Sequence, residues 1–500
     1  MNTEKLNTHL NQLRNDRKTW EAHWQEVANY VIPDKDDVTN KFVVTPGEKK
    51  FQNLYDATAI HSNELLASAL HSMLTNPASQ WFALTTGDPK KDMQDAIRKW
   101  LQEATLKLHD LMNNSNFQTE IHEIYLDLGS FGTALLRIEE DAELVFRFHA
   151  CPISNFYIAE NNKGFVDTVY REIEMSIRQA VQEFGIEGLS DKTKKMYKTN
   201  EESKVRIIHY VGPREDVDTI NIAKGFNFVS IYFEDGEKTT LKEGGFKTFP
   251  YCVPRWSKVS GEVYGRSPGM KSLPDTKMIN TVMLTTVRGA QKVVDPSIMV
   301  PDDGFILPVD LNPGGVTYYR AGTQDRIVPI ETKGRVDFGF QLMDDIRLRI
   351  RQAFFIDQLQ LNEGPQMTAT EVMQRTEEKL RLMGPVLGRQ QFELLKPLIE
   401  RTMMIAIEKK KILVPKELQG ELVEVVYSSQ IAKAQRATET NNFIRVMEIV
   451  GPIAQIQPQI LDNVNGDMLL RHTAKIFGVP EIILNTEDVV QSTRQARAQE

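Results

Sequence analysis

Cysteine is scarce: Cys151 and Cys252 are the only two in 500 residues. Neither stands in a CxxC or other metal-ligand spacing, which argues against zinc ribbons and fingers. Without a secretory context both are expected reduced and buried, with a disulfide between them as the alternative. Long apolar runs are missing too, since none approaches the roughly 18 residues a membrane helix needs. Residues Met1 to Lys5 lead into alternating polar and apolar positions without a secretory apolar core, so the chain is expected to stay where it is made. An excess of positive charge is also absent: 60 Lys and Arg face 68 Asp and Glu, a net charge of −8. Tight binding of a polyanion along a basic face calls for the opposite balance, so DNA can lie near this chain without strong adhesion.

Catalytic signatures are equally lacking. There is no GxxxxGK[ST] phosphate cradle, no GxSxG elbow, no GxGxxG after a strand and no EF-hand loop. The nine histidines form no HExxH, because His122-Glu123 runs on into Ile124, Tyr125 and Leu126; His122 is expected on a helix surface. Paired carboxylates at Asp302-Asp303 and Asp344-Asp345 are of the type that holds Mg²⁺, but in a Pro-rich module and on an exposed helix face they read as solvated charges. Lys409-Lys410-Lys411 reads as a helix end rather than a DNA contact. No enzyme activity, metal or cofactor is expected.

What is present is an ordinary globular balance, 41% hydrophobic and 26% charged, over a length that suggests two to four packed units. Leu6, Leu10, Leu13, Trp20, Trp24, Val27 and Val31 recur at helical spacing and Pro33 stops them, which predicts one helix over the first thirty residues. Asp56 stands as the expected N-cap of a second helix ending near Asn76-Pro77, and two more helical patterns carry the chain to about residue 130. From Gly132 the period changes. Runs at Leu144 to Phe148, Val166 to Tyr170, Val205 to Val211 and Phe226 to Phe233, with turns such as Glu234-Asp235-Gly236, predict an antiparallel β region with one inserted helix, ending near Pro268. The class is therefore α+β, mainly α.

Two helical patterns follow, Met270 to Val293 and Phe338 to Ile356, on either side of a Pro-rich, acidic, strand-prone module from Asp295 to Lys333. Next come a polar loop, Gln358 to Gln366, and a long helical stretch from Thr368 or Thr370 in which Gly384-Pro385 and Pro397 predict kinks or breaks. Leu422 to Tyr427 is one more strand candidate, and the chain beyond Ser429 reads as helical. In the second of the paired helices Arg347, Arg349 and Arg351 are balanced by Asp344, Asp345 and Asp357. Alternate helix positions point in different directions, so these arginines form no single basic stripe. Intrahelical ion pairs, contacts across subunits and an aqueous channel wall all stay open for them.

Certain short motifs occur in a fixed order: Trp20 and Trp24 ahead of Tyr30-Val31-Ile32-Pro33, then Tyr55-Asp56-Ala57-Thr58-Ala59, then Asn76-Pro77 with Trp81-Phe82-Ala83-Leu84. Further on stand Tyr264-Gly265-Arg266-Ser267-Pro268, Thr368-Ala369-Thr370-Glu371-Val372 with Gly384-Pro385, and Tyr427-Ser428-Ser429. Nearly end to end, this set resembles the portal, or head-to-tail connecting, proteins of short-tailed bacteriophages. The resemblance implies a homo-oligomeric ring, typically of twelve copies, at one vertex of the virion head, assembled in the host cytoplasm. Double-stranded DNA would pass through it without sequence specificity during packaging and ejection.

The same resemblance implies a wing over residues 1–267, stem helices over 268–293 and 334–357, a clip over 294–333 and a channel loop over 358–367. A long kinked helix over 368–428 would return to the wing, and a crown would follow over 429–500. The implied clip carries Asp302, Asp303, Asp310, Arg320, Asp325 and Arg326 as candidates for docking the large terminase and later the tail adaptor. Scaffold and major capsid protein would be further partners, with no membrane involved. The implied channel loop is Gln358, Leu359, Gln360, Leu361, Asn362, Glu363, Gly364, Pro365 and Gln366. Its amides offer hydrogen bonds without fixed positive charge, as a sliding polyanion requires, since counterion-releasing contacts act as a brake. Arg347, Arg349, Arg351, Asp344 and Asp345 are the channel or inter-subunit candidates in the stem. Two other readings stand beside this one: a different ring-forming head-tail or tail-tube component, and a DNA-processing enzyme subunit, which the missing phosphate cradle disfavours.

Overall fold

The computed structural model describes residues 3–39, 47–51, 54–92, 94–214, 226–237, 239–299, 328–329, 336–359, 383–415, 418, 424–427, 466–467, 470 and 487–499. Its first helix, α1 (Thr3–Val31), buries Leu6, Leu10, Trp24, Val27 and Val31, the face expected from their spacing. Leu6 and Leu10 pack on a β-sheet core, whereas Trp24, Val27 and Val31 belong to the main helical core, so α1 ties two cores together. Between them lies Arg17, fully buried on the same face. Its guanidinium donates to the carbonyls of Ile153, Ser154 and Phe156 and to Glu21, and lies 4.0 Å from the Tyr157 ring centroid. A buried cation of this kind survives only when its donors are satisfied, and here carbonyl oxygens do so.

Helices α2 (Thr58–Leu74), α3 (Pro89–Asp92), α4 (Asp95–Asn113) and α5 (Phe117–Phe131) complete the N-terminal part. α2 and α5 cross closely at Gly129, where a Cβ would lie 2.0 Å from Asn63 Oδ1. Asn63 Nδ2 uses the proximity to bond the Leu126 carbonyl and Ser130 Oγ. His122 is half-buried rather than on the surface, with its ring against His71.

The β region holds two antiparallel sheets, where one region was expected. Strands β2 (Leu135–Asp141), β3 (Val145–Cys151) and β9 (Tyr251–Cys252) make one, in the order β3-β2-β9. The other has the order β4-β5-β6-β7-β8, from β4 (Phe156–Glu160), β5 (Val166–Ser176), β6 (Lys204–Pro213), β7 (Phe228–Glu234) and β8 (Thr240–Phe246). Two helices, not one, are inserted: α6 (Ile177–Phe184), with a Ser176/Gln179 capping box, and α7 (Asp191–Thr199), capped by Ser190. Cys151 pairs with Leu135 and Cys252 with Leu136 on opposite sides of β2. Two inter-strand spacings separate them, roughly 10 Å, beyond disulfide reach. Both cysteines are free and buried.

A short strand, β1 (Phe82–Thr85), precedes α3 and pairs antiparallel with β12 (Glu424–Tyr427), so the late part of the chain returns to the N-terminal helices. Between β9 and β12 lie α8 (Pro268–Val294), the two-residue pair β10 (Ile298–Met299) and β11 (Val328–Pro329), α9 (Val336–Ala353), α10 (Ile356–Leu359), α11 (383–390) and α12 (Lys396–Glu408). A π-helical turn, Gln391–Leu395, joins α11 to α12. Gly384-Pro385 lies in the first turn of α11 as described, and the stretch before residue 383 lies outside the described residues. Pro397 has no N–H to return to the Glu393 carbonyl, and the widened turn sits directly before it. Lys409 to Lys411 follow the end of α12, as expected of a helix terminus. Of the final segment, α13 (Glu487–Gln499) is helical, and Arg494 pairs with Asp467. The mainly helical α+β class is the one the sequence implies.

Candidate functional site

The α8–α9 hairpin starts where the Tyr264–Pro268 motif fixes its root. Tyr264 packs against Trp20 and Trp24, with centroids 5.8 and 5.0 Å away, and its hydroxyl accepts the Ile158 N–H. Gly265 donates its N–H to Thr133 Oγ1 at 2.8 Å in a place without room for a side chain. Arg266 pairs with Glu262 and lies over the Trp20 ring. Ser267 caps α8: its Oγ accepts the Met270 N–H at 2.9 Å while donating to the Ser130 carbonyl at 2.6 Å, and Pro268 takes the first helical position. Each residue of the motif thus has a structural task in starting α8 against α5.

From this root α8 keeps one face buried as far as Asn280, whereas no residue from Thr281 to Val294 is buried. The exposed part extends about 20 Å at 1.5 Å per residue, and Val294 at its end is 85% exposed. α9 packs along it. Arg349 meets Asp275 at 3.4 Å, and a Cβ on Gly339 would touch Thr286, so Gly339 marks a close crossing near the outer end.

The Tyr55-Asp56 motif locks both helices. Asn280 Oδ1 accepts the N–H groups of Tyr55 and Asp56 at 2.7 and 3.1 Å. Asp56 Oδ2 accepts from Arg347 Nε and Nη2 at 3.0 and 2.9 Å. Its Oδ1 accepts the Thr58 N–H at 2.9 Å, while Ala57, not Asp56, holds the N-cap position of α2. The expected cap is therefore displaced by one residue, because the carboxylate is shared between the helix start and Arg347.

Among the stem candidates, Arg347 also bonds Asp344 at 3.1 Å, and Arg349 reaches α8. These two point to different helices, as their spacing requires, and both find partners inside one subunit. Arg351 and Asp345 are exposed, and with Asp344, Leu348 and residues of α2 they line one groove. The second helix ends earlier than its pattern implies. Phe355 has φ +61°, a left-handed conformation, which breaks α9 from α10. Gln358 and Leu359, expected to open the channel loop, are instead the last residues of α10 and half-buried. Gln360, Leu361, Asn362, Glu363, Gly364, Pro365 and Gln366 lie outside the described residues, as do Asp302, Asp303, Asp310, Arg320, Asp325 and Arg326.

Asn280 and Asp56 are positioning residues that periodicity did not single out. Asp56 stands in an ordered motif, the one signal that marks it; Asn280 has none. Among the described residues no group of three His, Cys, Asp or Glu side chains is arranged to hold a metal ion, and no helix is long and apolar enough to cross a membrane.

Residues 3–484 match the family model described as bacteriophage head to tail connecting protein. The probable portal protein of Bordetella phage BPP-1 is 33% identical over 98% of this chain and 90% of its own length. The portal protein of Salmonella phage epsilon15 is 30% identical over 99% and 91%, and that of Enterobacteria phage T3 is 22% identical over 89% and 82%. The chain belongs to the bacteriophage head to tail connecting family, the portal proteins, which are structural connectors at the head-tail junction of the virion and not enzymes.

Proposed function

We propose that copies of this chain close into a ring, with twelve as the expected number, at one vertex of the phage head, and that the ring is the channel for double-stranded DNA in packaging and ejection. The observation that carries this reading is the near full-length match to portal proteins, 98% of this chain against 90% of the BPP-1 relative. In this reading residues 1–267 are the wing, α8 and α9 the stem, 294–333 the clip that docks the large terminase and then the tail adaptor, 358–367 the channel loop and 429–500 the crown. Scaffold and major capsid protein meet the outside of the ring, and assembly takes place in the host cytoplasm.

The stem assignment agrees with a helix pair that leaves a buried root and ends exposed. A net charge of −8 suits a conduit that must release its polyanion. Electron microscopy of the purified protein, classified by rotational symmetry, together with native mass, tests the reading. Closed rings with an axial hole wide enough for duplex DNA, about 20 Å across, are the expected result. A monomer at every concentration, with or without scaffold, overturns it.

A further inference from the structure

The hairpin leaves two faces without cover. On α8, Lys271, Pro274, Met278, Thr281, Thr285 and Arg288 are all exposed and recur three and four positions apart, which places them in one stripe along the helix. The face of α8 turned to α9 is a different one, marked by Asp275 and Thr286. On α9, Met343, Ile346 and Ile350 are buried while Asp344, Asp345, Leu348 and Arg351 face outward. These outward residues form one wall of a groove of about 770 Å³ whose other wall is Asp56, Ala57 and the first turns of α2, with Leu65.

Exposed apolar side chains lie on both faces: Met278 is 42% exposed on the stripe, and Leu348 and Leu65 are 49% and 45% exposed at the groove. Because Arg349 meets Asp275 and Gly339 meets Thr286, Leu348 lies level with Met278, within one helical turn. Charge is complementary as well. The groove lining carries Asp56, Asp344 and Asp345 against Arg347 and Arg351, one carboxylate in excess, and the stripe carries Lys271 and Arg288, with Lys292 one turn further on.

We propose that the α2–α9 groove receives the α8 stripe of a second copy of this chain, with Met278 of one copy seated against Leu348 and Leu65 of the next. The contact is heterologous, a stripe on one flank into a groove on the other, so repetition by rotation closes a ring, and no copy needs to face its like. It rests on the ring reading above and assigns the residues that build it. Arg347 lines the groove but is engaged by Asp56 and Asp344 within the subunit, and Arg349 is engaged by Asp275.

The full-length chain carrying Met278→Cys and Leu348→Cys, oxidised mildly and run without reductant, tests the contact. The native cysteines are buried and do not compete. A ladder of covalent multimers is expected, and neither single-cysteine variant should produce one. Met278→Glu alone should lower the ring fraction at least tenfold, and adding Leu348→Lys should restore most of it, with the subunit melting temperature unchanged throughout. Rings that form in the wild type without a ladder, or with only an intrachain crosslink, overturn the contact and leave the ring reading standing. A wild type that never forms rings overturns both.

Discussion

Arg255 donates three hydrogen bonds to Glu393: its main-chain N–H and Nε reach Oε2 at 2.9 and 3.1 Å, and Nη2 reaches Oε1 at 2.7 Å. Glu393 sits in the π-helical turn ahead of α12, and the preceding Gln390 donates to the Arg255 carbonyl at 2.8 Å. Arg255 also pairs with Glu160, which Lys258 contacts at 2.5 and 2.6 Å. The π turn thereby fastens the late helices to the segment that leads into the hairpin. π turns recur where a helix must present a side chain that regular geometry would misplace.

The two side chains are only 2% and 9% exposed, so breaking their pair leaves a buried cation with Glu160 as its remaining carboxylate partner. Glu393→Ala should cost about 3–5 kcal/mol in urea denaturation of the subunit. Glu26→Ala, which removes the solvent-exposed partner of Lys277, should cost under about 1 kcal/mol. Similar losses for the two variants would mean that Arg255 keeps its other partners without Glu393.

Asp56 and Arg347 provide a second long-range tie, 291 positions apart in sequence. A double-mutant cycle on Asp56→Ala and Arg347→Ala should give a coupling of about 1–2 kcal/mol, within the range for residues that share hydrogen bonds. Hydrogen exchange should quicken in α9 and at the start of α2, while the five-stranded sheet keeps its protection. A coupling near zero would show that Asn280 alone holds the Tyr55-Asp56 segment.

Much of this fold was legible because long helices repeat their apolar face many times. α1 and α8 were placed to within a few residues by Leu, Trp, Val and Met spacing, and Ser267-Pro268 marks the start of α8 chemically. Several strands were not. β2 ends in Glu139-Glu140-Asp141 and β8 contains Gly244-Gly245, so local composition hid what pairing with neighbouring strands stabilises. The break at Phe355 was equally hidden, since a phenylalanine at positive φ is imposed by packing, here with its ring 6.0 Å from Trp256, and not by any turn residue. Of the candidate site, the ordered motifs marked the root of the hairpin correctly. Which arginine pairs with which carboxylate depends on tertiary contacts that no spacing encodes.

His209 makes stability sensitive to acid. It is buried, accepts or donates at both ring nitrogens to Tyr251 and Ser230 at 2.9 Å, and stacks on Tyr232 at 4.0 Å. Burial, reinforced by Arg171, Arg137 and Lys242, holds its pKa well below the ordinary 6.5. The unfolded chain binds a proton near pH 6.5 that the folded chain refuses. Stability is therefore fully present above about pH 6.5 and declines as pH falls below it, by up to about 1.4 kcal/mol per pH unit from this group. His23, His71 and His149 are lowered chiefly by burial and add in the same direction. His209→Gln should melt with a visibly shallower loss between pH 6.5 and 5 than the parent. Parallel curves would show that His209 gains its proton without unfolding.

Gly132 is a point of close backbone approach between α5 and the root of α8. It ends α5 in the left-handed region, φ +77°, and its N–H closes the helix on the carbonyls of Asp127 and Leu128 at 3.3 and 3.1 Å. Its own carbonyl accepts the Trp256 N–H at 2.9 Å. A Cβ there would lie 2.5 Å from the Gly265 carbonyl oxygen and 2.8 Å from the main chain of Arg266 and Ser267, so the clash is with backbone that cannot rotate away. Gly132→Ala should therefore lose about 1–2 kcal/mol to the left-handed conformation alone, and a further loss of similar size from displacing the Tyr264–Pro268 motif. Gly289, within the exposed part of α8, meets nothing within 4 Å. Gly289→Ala should act in the opposite sense and stabilise by about 0.5–1 kcal/mol through helix propensity. Thermal melts of the two variants beside the parent should shift to either side of it. A Gly132→Ala protein that melts with the parent would mean that α5 and the hairpin root separate without cost, and that the motif does not fix where α8 begins.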